Sequence, residues 1–282
     1  MLESLFLLLG LSAEPAFAPP ALEHLMIHPV PQLTELRPAP IVDAASALVL
    51  DLGSGKILFE KNSQDARAIA SLTKLMTAVV ARENFDLTEV VTVSKDAAAQ
   101  PPAKIWLRAG EKITVENLLK ATLMESGNDA ALSLAEHKYG VAEFVEKMNR
   151  KVAALGLQQT HFTNPIGYDD PENYGTAYDL ALLSGYVLRD PLLKEIAATQ
   201  RDIITDTQQT NTHHLLSTNI LFNTYLDIRG LKTGSTDAAG ECLAAIAQNE
   251  NGNNVLAIVL DSPNRFQEAK IMLNWAIENF RW

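Results

Sequence analysis

The chain has 282 residues, 23 of them basic and 34 acidic, for a net charge of -11. That balance argues against a nucleic-acid binder, which needs a basic patch, and against electrostatic adhesion to anionic membranes. A single cysteine, Cys242, excludes an internal disulfide and any CxxC motif, and the six histidines form no HExxH pattern, so neither metal nor cofactor is expected.

In chain order, "MLESLFLLLGLSAEPAFAPP" opens on a short apolar run, Leu5 to Leu11. Ala16-Phe17-Ala18 follows, and its small residues fit an export cleavage site. Residues 1–18 are therefore expected to be a signal peptide and the protein to be exported, although Glu3 stands where a basic residue is usual. Seven of the 13 prolines lie before residue 41, so residues 19–42 read as an extended leader and residues 43–282 as the folded domain. "SALVLDL" and "KILFEKN", joined by "GSG", read as a hairpin. "AIASLTKLMTAVV", residues 68–80, reads as a helix apolar nearly all round, hence inside the domain. Amphipathic helices are expected at 114–125, 129–138, 141–154 and 177–188. "GLKTGSTDAAGECLAAIAQ" and "NVLAIVLDS" then read as strands, and "NRFQEAKIMLNWAIENF" as a closing helix that packs on the core rather than anchoring to a membrane. A lone hairpin is marginal in water, so both strand groups are expected to share one sheet. The fold class is therefore α/β (α+β): an antiparallel sheet lobe with a helical insertion, and a cleft between them suited to a ligand.

Ser71 and Lys74 are out of place in so apolar a helix. Burying a lone ammonium is expensive, so Lys74 needs a partner, and Ser71 lies one turn back on the same side. Either Ser71 caps the helix while Lys74 reaches solvent, or the two are a nucleophile and its base. They form the only SxxK in the chain. SxN occurs at Ser126-Gly127-Asn128, Ser217-Thr218-Asn219 and Ser262-Pro263-Asn264. Ser126 is preferred among these because it falls on a tight connection between two amphipathic helices. Lys232-Thr233-Gly234 occurs once.

The order SxxK, SGN, KTG resembles the penicillin-recognising serine acyl transferases. "IASLTKLMTA", "LMESGNDAALSLAEH", "MNRKVAALGLQQTHFTNPIG", "GLKTGSTDAAGECL" and the closing helix narrow it: from about Ala45 to Trp282 the chain resembles the D-alanyl-D-alanine carboxypeptidase family of low-molecular-mass penicillin-binding proteins. The resemblance implies a β-lactamase/transpeptidase-like fold and a cell-wall location, periplasmic or extracytoplasmic. It also implies peptidoglycan stem peptides as substrates and β-lactams as covalent inhibitors. By the same resemblance Ser71 is the nucleophile, Lys74 its base, and Ser126 a proton relay to the leaving D-alanine. Asn128 holds a substrate carbonyl, Lys232 and Thr233 bind the terminal carboxylate, Gly234 leaves room, and the N–H groups of Ser71 and Ser235 form the oxyanion site. Adjacent residues on a strand face opposite sides, so the sequence leaves open how Lys232 and Thr233 both reach the cleft. "HFTNPIG" reads as a turn-rich loop. Two departures from the family bear on side-chain preference: "QPPAKIWL", residues 100–107, and the lack of an arginine near Asn219.

Three other readings compete. A β-lactamase of class A needs a glutamate on a loop past SxN, and "LQQTHFTNPIGY" has none. A DD-endopeptidase cutting cross-links is closer, and a catalytically silent peptidoglycan-binding module conflicts with a full set of acid–base residues.

Overall fold

The computed structural model describes residues 29–34 and 38–282; the expected signal peptide lies outside them. Five strands form one antiparallel sheet in the order Asp227–Thr236, Gly240–Gln248, Asn254–Ser262, Ser46–Asp51, Ile57–Lys61. The N-terminal hairpin and the C-terminal strands thus join through Ser46–Asp51 and Asn254–Ser262, pairing Val49 with Ala257. Side chains alternate between the two faces of a strand, and the sheet buries both. Leu48, Leu50, Ile246, Leu256 and Ile258 point into a core shared with the helical lobe. Ala47, Val49, Leu243, Ala245 and Val259 point the other way, against Ala269, Met272, Leu273 and Ala276 of the closing helix Arg265–Asn279. That helix spends its apolar residues on the sheet, as the sequence predicts. No helix among the described residues is long and apolar enough to cross a membrane.

The insertion between the two strand groups is mainly helical, as expected: Val115–Met124, Asn128–Glu136, Gly140–Leu155 and Ala177–Val187. Of the elements that were not legible in the periodicity, three bear on the architecture most. Helix Pro191–Ala198 is short, though Asp190 caps it by accepting from the N–H groups of Leu192 and Leu193. The hairpin Arg201–Thr205 with Thr212–Leu216 is largely polar and leaves Ile203 and Leu216 exposed, so it lacks a clear buried alternation. The third amends the reading of residues 19–42 as an unpacked leader. Gln32–Leu33 pairs with Phe280–Arg281, the Thr34 N–H donates to Asn279 O at 2.9 Å, and Lys56 Nζ donates to Pro31 O at 2.6 Å. Prolines at 29 and 31 remove donors from their own positions only, and Gln32 to Thr34 retain theirs for this short ladder.

Candidate active site

A single 3-10 turn, Ala70–Leu72, leads into the helix Thr73–Asn84, whose residues are buried from Thr73 to Ala81. Lys74 is wholly buried, so the solvated-lysine reading fails. Its Nζ lies 2.9 Å from Ser71 Oγ, 2.8 Å from Asn128 Oδ1 and 2.8 Å from Ile166 O. The last two atoms only accept hydrogen bonds. A neutral amine has two N–H groups and one lone pair; with both N–H groups committed to Asn128 and Ile166, the lone pair is left facing the Ser71 hydroxyl. Burial lowers the Lys74 pKa from 10.5 to about 7, against an upward pull from Asp129. An amine so placed, with its proton affinity lowered by burial, is chemically able to take a proton from the serine hydroxyl.

Each partner of Lys74 is itself held. The Asn128 Nδ2 donates to Pro101 O at 3.0 Å, which fixes the amide with its oxygen toward the lysine. The Asn128 N–H donates to Ala103 O, and Asp129 accepts from the N–H groups of Ile105 and Leu107. Segment 100–107 is thus the support of the SGN turn. Ile166 is presented by a loop folded around Asn164, whose Oδ1 accepts from the N–H groups of Ile166, Gly167 and Tyr168. Thr77, one turn past Lys74, donates to Pro165 O at 2.6 Å. Gly167 has φ +94°, and a Cβ there would sit 2.0 Å from Ala70 O, so only glycine lets this loop lie on the Ser71 turn.

Strand Asp227–Thr236 is the sheet edge beside that turn. A Cβ on Gly234 would lie 2.9 Å from Ser71 N, so this glycine admits the close approach of strand and nucleophile. Lys232 pairs with Ala244, a residue of the core shared with the helical lobe, and Thr233 with Leu243, which faces the closing helix. The two therefore do diverge, as strand geometry demands. Thr233 still reaches its partner because the strand is an edge: its Oγ1 lies 2.6 Å from Thr218 Oγ1, off the sheet. Lys232 is buried and donates to Thr233 O at 2.8 Å. Burial, then the charges of Lys74 and Arg265, push its pKa well below 10.5. Arg265 Nη1 donates to Gly234 O at 2.6 Å, tying the closing helix to the strand.

Lys74 binds both Ser71 and Asn128 directly, and Gly234 and Ser235 lie on the strand that abuts Ser71. Ser126 is buried on the connection between helices Val115–Met124 and Asn128–Glu136, with a left-handed φ of +62°. Sequence reasoning missed Ile166, Thr218 and Arg265. Ile166 acts through a backbone carbonyl, which no side-chain motif reports; the available signal was the turn chemistry of Asn164-Pro165-Ile166-Gly167. Thr218 lies inside an SxN triplet set aside as a motif.

A family model for D-alanyl-D-alanine carboxypeptidases matches residues 34–264. The D-alanyl-D-alanine carboxypeptidase DacF of Bacillus subtilis is 33% identical over 246 residues, covering 84% of this chain and 63% of its own length. The chain thus spans under two thirds of that relative. The D-alanyl-D-alanine carboxypeptidase of a Streptomyces strain is 31% identical, with 84% of this chain and 88% of the relative covered. Among solved structures, the Streptomyces K15 DD-transpeptidase superposes with a TM-score of 0.81 at 29% identity, covering 86% of this chain and 100% of that one. Penicillin-binding protein 5 from Haemophilus influenzae gives 0.77 at 31% identity, with 85% and 72% covered. With a family match across most of its length and the same architecture, the chain belongs to the D-alanyl-D-alanine carboxypeptidase family.

Proposed function

We propose that the protein is an exported serine D-Ala-D-Ala carboxypeptidase that removes the terminal D-alanine from peptidoglycan stem pentapeptides and is acylated by β-lactams. The observation that carries this reading is the fully buried Lys74, its pKa depressed, with Nζ 2.9 Å from Ser71 Oγ. Lys74 accepts the hydroxyl proton as Ser71 Oγ bonds to the carbonyl carbon of the penultimate D-alanine. The N–H groups of Ser71 and Ser235 stabilise the oxyanion. The proton passes through Ser126 to the leaving amine, the C–N bond breaks, and D-alanine departs. Asn128 orients the substrate peptide, and Lys232 and Thr233 take the terminal carboxylate beside Gly234. Water then cleaves the ester with the same base. Residues 157–168 contribute Ile166 O rather than an acidic side chain, which disfavours the β-lactamase reading.

The test is Ser71→Ala. It is expected to abolish the covalent penicillin adduct seen by mass spectrometry and to cut D-alanine release by a factor on the order of 10^4 or more, with the melting temperature retained. Activity near that of the wild type would remove Ser71 as the nucleophile. A cross-linked muropeptide run alongside the pentapeptide separates carboxypeptidase from endopeptidase action.

A further inference from the structure

Thr218 has its hydroxyl 2.6 Å from that of Thr233 and is pinned on both sides. Its N–H donates to Met124 O at 3.1 Å, at the end of helix Val115–Met124. Its neighbour Asn219 donates through Nδ2 to Gly230 O at 3.1 Å on the edge strand. The backbone at Thr218 is therefore held by two elements, from the helical lobe and from the sheet.

Each threonine hydroxyl carries one proton, so a contact this short uses the proton of one and a lone pair of the other. Two arrangements exist before substrate arrives. A carboxylate can only accept, so it selects the arrangement in which Thr218 donates to Thr233 and Thr233 donates outward. We propose that Thr218 is a positioning residue that directs the Thr233 proton toward the terminal carboxylate, and so sets the preference for a free acid over an amide. A terminal amide carries N–H donors of its own and can satisfy Thr233 in the opposite arrangement, so it gains nothing from Thr218. Donation from Thr218 also polarises the Thr233 hydroxyl, strengthening its bond to an anion. The inference rests on the carboxypeptidase reading and on the role given there to Thr233.

The experiment compares pentapeptides ending in D-alanine acid and in D-alanine amide, on the wild type, Thr218→Val and Thr218→Ser. Valine keeps the size and removes the proton. For Thr218→Val, kcat/KM on the acid is expected to fall roughly two- to twelve-fold, the worth of one neutral hydrogen bond. The loss should appear in KM, because the carboxylate is not a reacting group. The amide rate should hold and the serine variant should restore the preference. An unchanged acid-to-amide ratio in Thr218→Val, or an equal loss on both substrates, overturns the inference while the carboxypeptidase reading stands. A wild type that releases neither D-alanine from the acid nor D-alanine amide from the amide overturns that reading and the inference with it.

Discussion

On the rear face of the sheet Val49, Leu243, Ala245 and Val259 meet Met272, Leu273 and Ala276, all at 0% exposure and all apolar. The front face meets a layer in which Lys74, Asp129 and Lys232 are just as deeply buried among Leu72, Leu75 and Met76. Polar and charged groups at such depth cost stability unless each is bonded, and here the bonds are specific: Lys74 to three oxygens, Asp129 to the N–H groups of Ile105 and Leu107. Those apolar positions of the rear face can be filled by any side chains of suitable volume and shape. The front face needs particular atoms at particular distances. The same sheet thus separates a surface that holds the fold together from one that spends stability on chemistry.

If that division holds, substitutions on the two faces should fail in different ways. After Ser71→Ala, the largest effect is expected for Lys74→Arg, which keeps a cation but cannot release its proton at working pH. Acylation by a fluorescent penicillin should drop about 10^2- to 10^4-fold, the usual worth of a general base. In the wild type the same rate should climb with pH through about 7, as Lys74 becomes neutral. Rapid labelling of the arginine variant would break the assignment. Next comes Leu273→Ala on the rear face, expected to cost roughly 2–5 kcal/mol through lost contacts and a residual cavity. Penicillin labelling per folded molecule should be unchanged; slower labelling at an unaltered denaturation midpoint would show that the faces are not separable.

The rear face was also the more legible of the two from sequence. Alternation in "SALVLDL" and "NVLAIVLDS" and the apolar stripe of the closing helix suffice to pair the strands and cover them, because the constraint is a pattern. On the front, Ser71, Lys74, Ser126 and Lys232 drew notice because three short motifs stand in an order, with flanks, that resembles one family. Ile166 did not, since its contribution is a carbonyl that any residue could supply; what is particular to the site is Gly167 against Ala70 O. Thr218 was passed over for a similar reason. Its contact with Thr233 joins residues 15 apart across a hairpin-to-strand crossing, and nothing in a Ser-Thr-Asn triplet announces that geometry.

A smaller effect distinguishes the faces by pH. In the folded protein Lys74 loses its proton at about 7, and in the unfolded chain near its ordinary 10.5. Below about 7 both states hold the proton, and the full penalty of burying the ammonium weakens the fold. Between the two values the unfolded chain binds one more proton than the native protein, so stability rises with pH by about 1.4 kcal/mol per unit. Above 10.5 the penalty is gone. Lys74→Met removes this proton from the balance, and it also relieves the neighbouring charge that helps depress Lys232, so its stability should rise less steeply. Urea unfolding at about pH 7.5 and about pH 9.5 should show the wild type gaining about 2–3 kcal/mol more than Lys74→Met over that interval. Leu273→Ala, which removes no titrating group, should run parallel to the wild type at lower stability. Parallel curves for the wild type and Lys74→Met would mean that Lys74 keeps its ordinary affinity for the proton in the fold, and the neutral-base role would go with it.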